Sequence, residues 1–289
     1  MYGWIILDKA SGLFSRSAST RIARLFGEKK SGHIGTLDPM ATGVLPIAIG
    51  DATKMIPFVE GANGGIKEYL FSVQFGIDTD TLDITGHEIA RNDIIPTDAQ
   101  IFDAIKHFVG DIQQVPPTYS AIHIDGKRAY KIARDGNHIE LPARTVHIYD
   151  IHYNGFNGTS WAFSVRCGTG TYVRSLARDI ANYCGAIATV DMIRRVQTNG
   201  FDIKNAVSLD FLENLYNNGA DIGGYLMPID SGLGDIPVLN LDDKDTELYR
   251  HGGFIKTAMP NGLFRVYNGT KFVGIGVVHD KQLRPKRTI

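Results

Sequence analysis

One acidic residue, Asp38, lies in a loop whose backbone is restricted by glycines and a proline. The loop separates a basic stretch from an apolar run at 44–49, and it reads His33-Ile34-Gly35-Thr36-Leu37-Asp38-Pro39-Met40-Ala41-Thr42-Gly43. Glycine and proline stabilise turns that other residues resist. The pattern allows two interpretations: an Asx-turn at Asp38 stiffened by Pro39, or a carboxylate held toward a substrate.

Three other segments carry side chains that could act with that carboxylate. Tyr69 lies near the start of a strand, Tyr172 and Arg174 follow a glycine-rich turn into a helix, and Ile193 precedes two arginines at the end of a strand. Each segment also has a purely structural interpretation. The first tyrosine could pack in a core, Thr171 could cap the helix beside a solvated arginine, and the two arginines could form an exposed basic edge.

The functional interpretation assigns one chemistry to these segments together. A guanidinium keeps a neighbouring carboxylate ionised and holds it by two hydrogen bonds. A planar base needs an aromatic ring beneath it and an apolar side chain above it. We therefore expect Asp38 and Arg174 at the reacting edge of a base, with Tyr69 and Ile193 against its two faces. Such a site performs covalent catalysis by a carboxylate without a cofactor or a metal.

The elements that hold these side chains follow from the apolar periodicity. It predicts strands at 3–7, 67–76, 144–153, 161–167 and 189–196, and helices at 17–26, 97–109, 128–134 and 172–184. Thr97 and Gln100 have the spacing of a capping box, and Asn268-Gly269 predicts a hairpin in the C-terminal segment. We expect an α+β protein: a mixed, largely antiparallel sheet flanked by helices over 1–232, and a small β-rich domain over 233–289.

Composition excludes several classes of protein. The 289 residues are 43% hydrophobic and 21% charged, as in an ordinary soluble protein, and no apolar run is long enough for a membrane span. We expect a cytoplasmic protein, since the N-terminus lacks a secretion signal. Two cysteines, Cys167 and Cys184, without a CxxC motif exclude zinc fingers and disulfide scaffolds, and no nucleotide-binding glycine motif occurs.

Charge is unevenly distributed along a chain whose net charge is −1. Segments 1–60, 121–145 and 166–195 each carry two or three more basic than acidic residues, whereas 61–120 carries six more acidic ones. If the basic segments converge in the fold, they form a local surface that neutralises phosphates. The alternative is that they are ordinary solvated faces.

An ordered series of motifs resembles the TruB-type tRNA pseudouridine synthases. Besides the loop around Asp38, the chain contains Leu7-Asp8-Lys9 with Gly12, Lys67-Glu68-Tyr69, the segments 79–86 and 115–121, Gly126-Lys127 with Tyr130, Gly170-Thr171-Tyr172-Val173-Arg174, and Arg194-Arg195. These motifs are similar to the family's in residue type, order and spacing over residues 3 to about 230. The segment 283–287 also resembles the family's C-terminal region.

The resemblance implies an activity and a fold. It implies conversion of uridine to pseudouridine at position 55 in the T-loop of tRNA, by a pseudouridine synthase catalytic fold followed by a PUA-like RNA-binding domain. The partner would be the T-arm of tRNA, bound by a monomer that needs no guide RNA and no membrane. Whether the nucleophile attacks the sugar or the base stays open, and in either case the base must leave its stack.

The resemblance also implies roles for individual residues. The family's nucleophile corresponds to Asp38, its base-stacking aromatic residue to Tyr69, and its active-site tyrosine and arginine to Tyr172 and Arg174. Ile193 takes the base-packing position, where the family usually has leucine.

Three further positions would support the reaction. His33 would enter the T-loop where bases are displaced, and Lys9 and Asp83 would be supporting polar residues. Ala10 departs from the Asp-Lys-Pro that is usual in the family, which puts the rigidity of the first turn in question.

Two rival functions share most of these features. A relative that binds and folds tRNA as a chaperone would tolerate loss of Asp38, and the joint presence of Asp38, Tyr69 and Arg174 argues against that as its only role. A guide-RNA-dependent synthase subunit would share the catalytic motifs. Turnover of tRNA without guide RNA separates such a subunit from a stand-alone enzyme.

Overall fold

The computed structural model describes residues 2–120, 122–124, 127–129, 132 and 141–289. It contains two compact units. The first unit comprises Met1–Asp38, Val44–Gly65 and Asn199–Ile289, and the second comprises Pro39–Gly43 and Ile66–Thr198. Both units combine strands and helices, so the predicted α+β class is confirmed.

The secondary-structure elements are numbered along the chain. The strands are β1 Gly3–Lys9, β2 Ser31–His33, β3 Thr42–Ile49, β4 Lys67–Phe75, β5 Ile77–Thr79, β6 Glu88–Arg91, β7 Gly110–Gln114, β8 His123–Ile124, β9 Lys127–Arg128, β10 Arg144–Phe156, β11 Trp161–Cys167, β12 Ala188–Thr198, β13 Phe201–Asp202, β14 Val207–Ser208, β15 Val238–Asn240, β16 Ile255–Lys256, β17 Gly262–Asn268, β18 Lys271–His279 and β19 Gln282–Thr288. The α-helices are α1 Ser15–Leu25, α2 Ile56–Gly61, α3 Asp98–His107, α4 Val173–Tyr183, α5 Leu209–Asn217 and α6 Asp243–Arg250.

The first unit is built on strands from both ends of the chain. Strands β14, β1 and β3 are neighbours in one sheet, and β2 pairs antiparallel with β3. Trp4 of β1 is fully buried, its Nε1 donates to the Ile229 carbonyl at 2.9 Å, and its ring centroid lies 5.4 Å from that of Phe201. The core around this tryptophan extends to Phe272 and Ile275 of β18. The C-terminal strands therefore share a core with the N-terminal strand.

The C-terminal strands also form a sheet of their own, in the order β15-β17-β18-β19-β16. Asn268-Gly269 makes the predicted hairpin between β17 and β18, with Gly269 at φ +57°. A second, smaller core surrounds Tyr249 of α6 and Phe264 of β17. The domain boundary at residue 233 stays a prediction: the segment after it has its own sheet, yet it also packs into the core around Trp4.

We expect Ile275→Ala to lower the melting temperature and removal of 235–289 to unfold the first unit. Ile275 is fully buried in the shared core, and truncation of a buried aliphatic side chain to alanine costs about 2–5 kcal/mol. Thermal unfolding followed by circular dichroism measures both effects, with the exposed Val238→Ala as the control. A chain ending at residue 234 that melts at the wild-type temperature would contradict the shared core.

The second unit is an antiparallel sheet in the order β12-β4-β11-β10-β7. Tyr69, Phe71, Val73 and Phe75 share a buried face of β4, as their alternation predicts. Phe71 stacks on Phe163 of β11, with ring centroids 5.1 Å apart. Helix α3 packs against β10, and helix α4 packs against β12 and β4. This sheet and the start of α4 carry most of the predicted site residues.

Most predicted elements agree with the structure to within a few residues, including the capping box of α3 at Thr97 and Gln100. The predicted helix at 128–134 begins in strand β9, and most of it lies outside the described residues. The prediction lacks the helices α2, α5 and α6 and several strands, β19 among them. Strand β19 shows no clear alternation, because Pro285 lies at an irregularity in its pairing with β18 and basic residues flank it. In the described part of the chain, no helix has the length and apolarity needed to cross a membrane.

Candidate active site

The predicted site residues fall into two groups according to the unit that contains them. Lys9, His33 and Asp38 belong to the first unit, and Tyr69, Asp83, Tyr172, Arg174 and Ile193 belong to the second. In the second group, Arg174 contacts Asp83, and Tyr69 and Ile193 lie on the paired strands β4 and β12, against which helix α4 packs. The pairing of Asp38 with Arg174 stays a prediction.

Asp38 follows a residue whose backbone is fixed on both sides. The hydroxyl of Ser15, at the start of α1, donates to the Leu37 carbonyl and accepts from the Leu37 amide, both at 3.0 Å. Ser15 and Leu37 are buried, whereas Asp38 is partly exposed. The carboxylate is therefore carried on an anchored backbone while remaining accessible.

His33 is the last residue of β2 and lies opposite Ile47 of β3. Its Nε2 is 3.2 Å from the Thr36 hydroxyl, and the residue is partly exposed. The ring is thus oriented by a hydrogen bond within the loop that leads to Asp38.

Lys9 is fully buried at the end of β1. Its ammonium donates to the carbonyl oxygens of Ala10, at 3.0 Å, and Leu13, at 2.7 Å. These bonds bridge the turn that contains Gly12, which has φ +81°. The turn that contains Ala10 and Gly12 is therefore held by the Lys9 side chain, and a role for Lys9 in the reaction stays a prediction.

Arg174, on the first turn of α4, is a buried cation held by three groups. It donates to the carbonyl oxygens of Thr81, at 2.7 Å, and Tyr119, at 3.0 Å, and its Nη1 is 3.4 Å from Asp83 Oδ2. The two charged side chains are 4% and 5% exposed. The alternative interpretation of a solvated arginine is therefore wrong. Thr171 does not cap the helix either: the N-cap residue is Tyr172, no side-chain hydrogen bond caps the helix, and the Thr171 hydroxyl donates to the Gly168 carbonyl at 3.1 Å.

Asp83 is held in turn by its own loop. Its Oδ1 accepts from the Thr85 amide at 2.9 Å, from the Thr85 hydroxyl at 2.5 Å and from the Thr81 hydroxyl at 3.0 Å. A Cβ at Gly86 would lie 2.3 Å from that Thr81 hydroxyl, so only glycine fits there. The motif 79–86 thus fixes one carboxylate, and this carboxylate orients Arg174.

Tyr172 precedes α4 and is positioned through its backbone. Its amide donates to Gln114 Oε1 at 2.8 Å, and its carbonyl accepts from Gln114 Nε2 at 3.2 Å. Gln114, at the end of β7, is fully buried, and the sequence pattern did not single it out. The partly exposed tyrosine side chain therefore projects from a fixed point.

Tyr69 and Ile193 lie on the same face of two adjacent strands. In the pairing of β4 with β12, Ile193 is opposite Phe71 and Arg195 is opposite Tyr69. Tyr69 is 8% and Ile193 is 4% exposed. Arg195 is also buried, so the interpretation of 193–195 as an exposed basic edge is wrong for this residue.

The described residues offer few other side chains that could bind a metal ion or act as a nucleophile. Among the described residues, no group of three or more His, Cys, Asp or Glu side chains is placed to hold a metal ion. Burial raises the pKa of the Cys167 thiol to about 11, and burial also raises the pKa of Cys184. Both thiols are therefore neutral at physiological pH and poor nucleophiles.

Two parts of the chain match models of known protein families. Residues 23–173 match the family model described as TruB family pseudouridylate synthase (N terminal domain), and residues 237–289 match Pseudouridine synthase II TruB, C-terminal. A protein of Caulobacter vibrioides named tRNA pseudouridine synthase B is 43% identical over 244 residues, covering 84% of this chain and 77% of that protein. A protein of Novosphingobium aromaticivorans with the same name is 40% identical over 297 residues, covering 99% and 96%.

A solved structure shares the fold at lower sequence identity. A chain in the crystal structure of a Cbf5-Nop10-Gar1 complex has a TM-score of 0.73 and 22% identity, covering 99% of this chain and 84% of that chain. The relative from Novosphingobium aromaticivorans covers nearly the whole chain, and the second family model covers the C-terminal segment. The chain therefore belongs to the TruB family of pseudouridylate synthases.

Proposed function

We propose that this protein isomerises uridine to pseudouridine at position 55 in the T-loop of tRNA. It acts as a cytoplasmic monomer without guide RNA, cofactor or metal, and residues 233–289 are its PUA-like RNA-binding domain. The observation that carries the proposal is the buried Arg174, fixed by Asp83 and two carbonyl oxygens at the start of α4. A cation held in this way suits a carboxylate nucleophile. The relatives named tRNA pseudouridine synthase B support tRNA as the substrate.

Asp38 is the nucleophile in this proposal. The glycosidic carbon–nitrogen bond breaks, the base rotates, and a carbon–carbon bond forms at the same sugar. C5 of the base loses its proton and N1 gains one, so the product has the same formula as the substrate. Asp38 attacks either the anomeric carbon or the base ring, and Arg174 holds its carboxylate by paired hydrogen bonds.

The covalent chain supports this placement of Asp38. Thr42 follows it by four residues, and the Thr42 hydroxyl is 3.4 Å from the Ile193 carbonyl on β12. Four residues of extended chain span at most about 14 Å.

Tyr69 stacks on one face of the displaced base and Ile193 packs on the other, while Tyr172 lines the site. Removing the base from its stack costs a few kcal/mol, which an exposed loop reduces.

The test is incubation of the purified protein with unmodified tRNA transcript, followed by mapping of pseudouridine at single-nucleotide resolution. We expect one modified position, 55, without added RNA, and no product from a transcript with cytidine at that position. Turnover that requires a guide RNA would support a guide-dependent subunit instead. Tight tRNA binding without turnover would support a chaperone.

We expect His33→Phe to retain much more activity than His33→Ala. In the proposal the His33 ring occupies space vacated by displaced bases, and it acts there through shape and stacking. A general base would make both variants equally defective, because neither side chain accepts a proton. Single-turnover rates between pH 6 and 9 distinguish the two roles. Equal, severe losses would refute base displacement by His33, and a changed form of the pH–rate profile would indicate proton transfer.

A further inference from the structure

Arg195 is a fully buried cation on the strand next to Tyr69. It is 1% exposed, and the antiparallel pairing of β12 with β4 places it directly opposite Tyr69. Side chains opposite each other in antiparallel strands lie on one face, with Cβ atoms about 4.5–5.5 Å apart. The β12–β4 register shifts immediately after Arg195, and such bulges re-aim the neighbouring side chain.

A hydrogen bond joins the Arg195 and Tyr69 side chains. Arginine carries donors only, so the guanidinium donates and the phenol oxygen accepts. Burial lowers the pKa of Arg195, while Tyr69 and the Cys167 thiol act to raise it. The guanidinium stays protonated in this environment, and the tyrosine hydroxyl therefore receives a charge-assisted hydrogen bond.

The backbone of Arg195 is held as closely as its side chain. Gly43 of β3 pairs with it, and a Cβ at Gly43 would lie 2.1 Å from the Arg195 carbonyl oxygen. Gly43 also has φ +98°, a conformation that favours glycine. Arg195 is thus fixed at its backbone by Gly43 and at its guanidinium by the hydrogen bond to Tyr69.

We propose that Arg195 is a positioning residue that holds the Tyr69 ring in the orientation in which it stacks on the target base. The inference rests on the proposed function, because Tyr69 is a platform only if the substrate presents a base. Because the hydrogen bond is made at the far end of the Tyr69 side chain, it restricts both side-chain torsions of Tyr69. A platform fixed in advance reduces the ordering that bound tRNA must otherwise undergo before the displaced base can react. Arg195 acts through Tyr69 and needs no contact with RNA.

A double-mutant cycle on the single-turnover rate with unmodified tRNA transcript tests this role. We expect Arg195→Met to lower the rate at saturating tRNA at least about tenfold with little change in the tRNA Kd, because a fixed platform acts after binding. Arg195→Lys should lower the rate less than Arg195→Met does, since lysine keeps a hydrogen-bond donor and the positive charge. In the Tyr69→Phe background, Arg195→Met should change the rate less than about twofold, because the hydrogen bond is already absent. Arg91→Met is the control: Arg91 is exposed on β6, where it pairs with Glu88 at 2.6 Å, and the variant should keep the wild-type rate at saturating tRNA.

Two results would overturn the inference. One is an equal loss from Arg195→Met in both backgrounds, since Arg195 would then act independently of the Tyr69 hydroxyl. The other is a wild-type rate for Tyr69→Phe, which decides the question even if Arg195→Met fails to fold in a thermal melt. If the wild-type protein makes no pseudouridine, the proposed function fails first and the inference fails with it.

Discussion

Asp38→Asn is expected to abolish turnover while the fold and the affinity for tRNA are kept. An amide is a far poorer nucleophile than a carboxylate, so we expect the single-turnover rate to fall below about a hundredth of wild type. The substitution preserves size, and the backbone before it is anchored by Ser15 through Leu37. The loop should therefore keep its path. Single-turnover kinetics at saturating tRNA measure the rate, and filter binding measures the affinity.

A matched substitution separates the nucleophile from a general effect of charge. Asp51 is an acidic residue of the same unit that pairs with Lys54 at 3.1 Å on the surface. Asp51→Asn removes the same charge, and we expect its rate to stay within about twofold of wild type, since surface ion pairs contribute little. Activity of the Asp38 variant above about a hundredth of wild type would count against Asp38 as nucleophile.

The candidate site residues could be located from the sequence because the signals that mark them are local. Glycine and proline mark the loop around Asp38, and the glycine-rich turn before α4 marks Arg174 within a few residues. The alternating residues of β4 show equally well which face carries Tyr69. Each of these signals is contained in one short stretch of chain.

The groups that hold those residues could not be predicted in the same way. Ser15 meets Leu37 across 22 residues, and Gln114 meets Tyr172 across 58. Serine and glutamine are common residues, and nothing beside them in the chain distinguishes an anchor from a solvated side chain. Arg195 was equally ambiguous, since two successive arginines on a strand point to opposite faces and only the pairing with β4 identifies the buried one.

The shared core of the first unit was missed for a related reason. Short apolar runs separated by glycine and asparagine favour a separate β-rich domain after residue 233. The pattern reports that Phe272 and Ile275 are apolar, but it does not report that they pack around Trp4. Contacts between the two ends of the chain leave no periodicity in either segment.

Arg174→Lys is expected to lose most activity although it keeps the positive charge. The guanidinium donates to the Thr81 and Tyr119 carbonyl oxygens with separate nitrogens and lies 3.4 Å from Asp83. A single ammonium cannot reproduce this planar set of donors or grip a carboxylate at two points. We expect the single-turnover rate to fall about a hundredfold. Asp83→Asn should also lower the single-turnover rate strongly, because it leaves the buried Arg174 without its carboxylate partner.

The control for Arg174→Lys lies one turn further along the same helix. Arg178 is partly exposed, donates to the Val115 carbonyl at 3.0 Å and pairs with Asp179 at 2.8 Å, so Arg178→Lys makes the same change outside the proposed site. We expect its rate to stay within about threefold of wild type, because lysine keeps the positive charge and an ion pair in contact with solvent contributes little. Thermal melts of both variants test whether the buried substitution costs stability, and rates are compared only below the lower melting temperature. If Arg174→Lys turns over tRNA at the wild-type rate, Asp38 does not depend on a paired guanidinium, and a single positive charge at position 174 is enough.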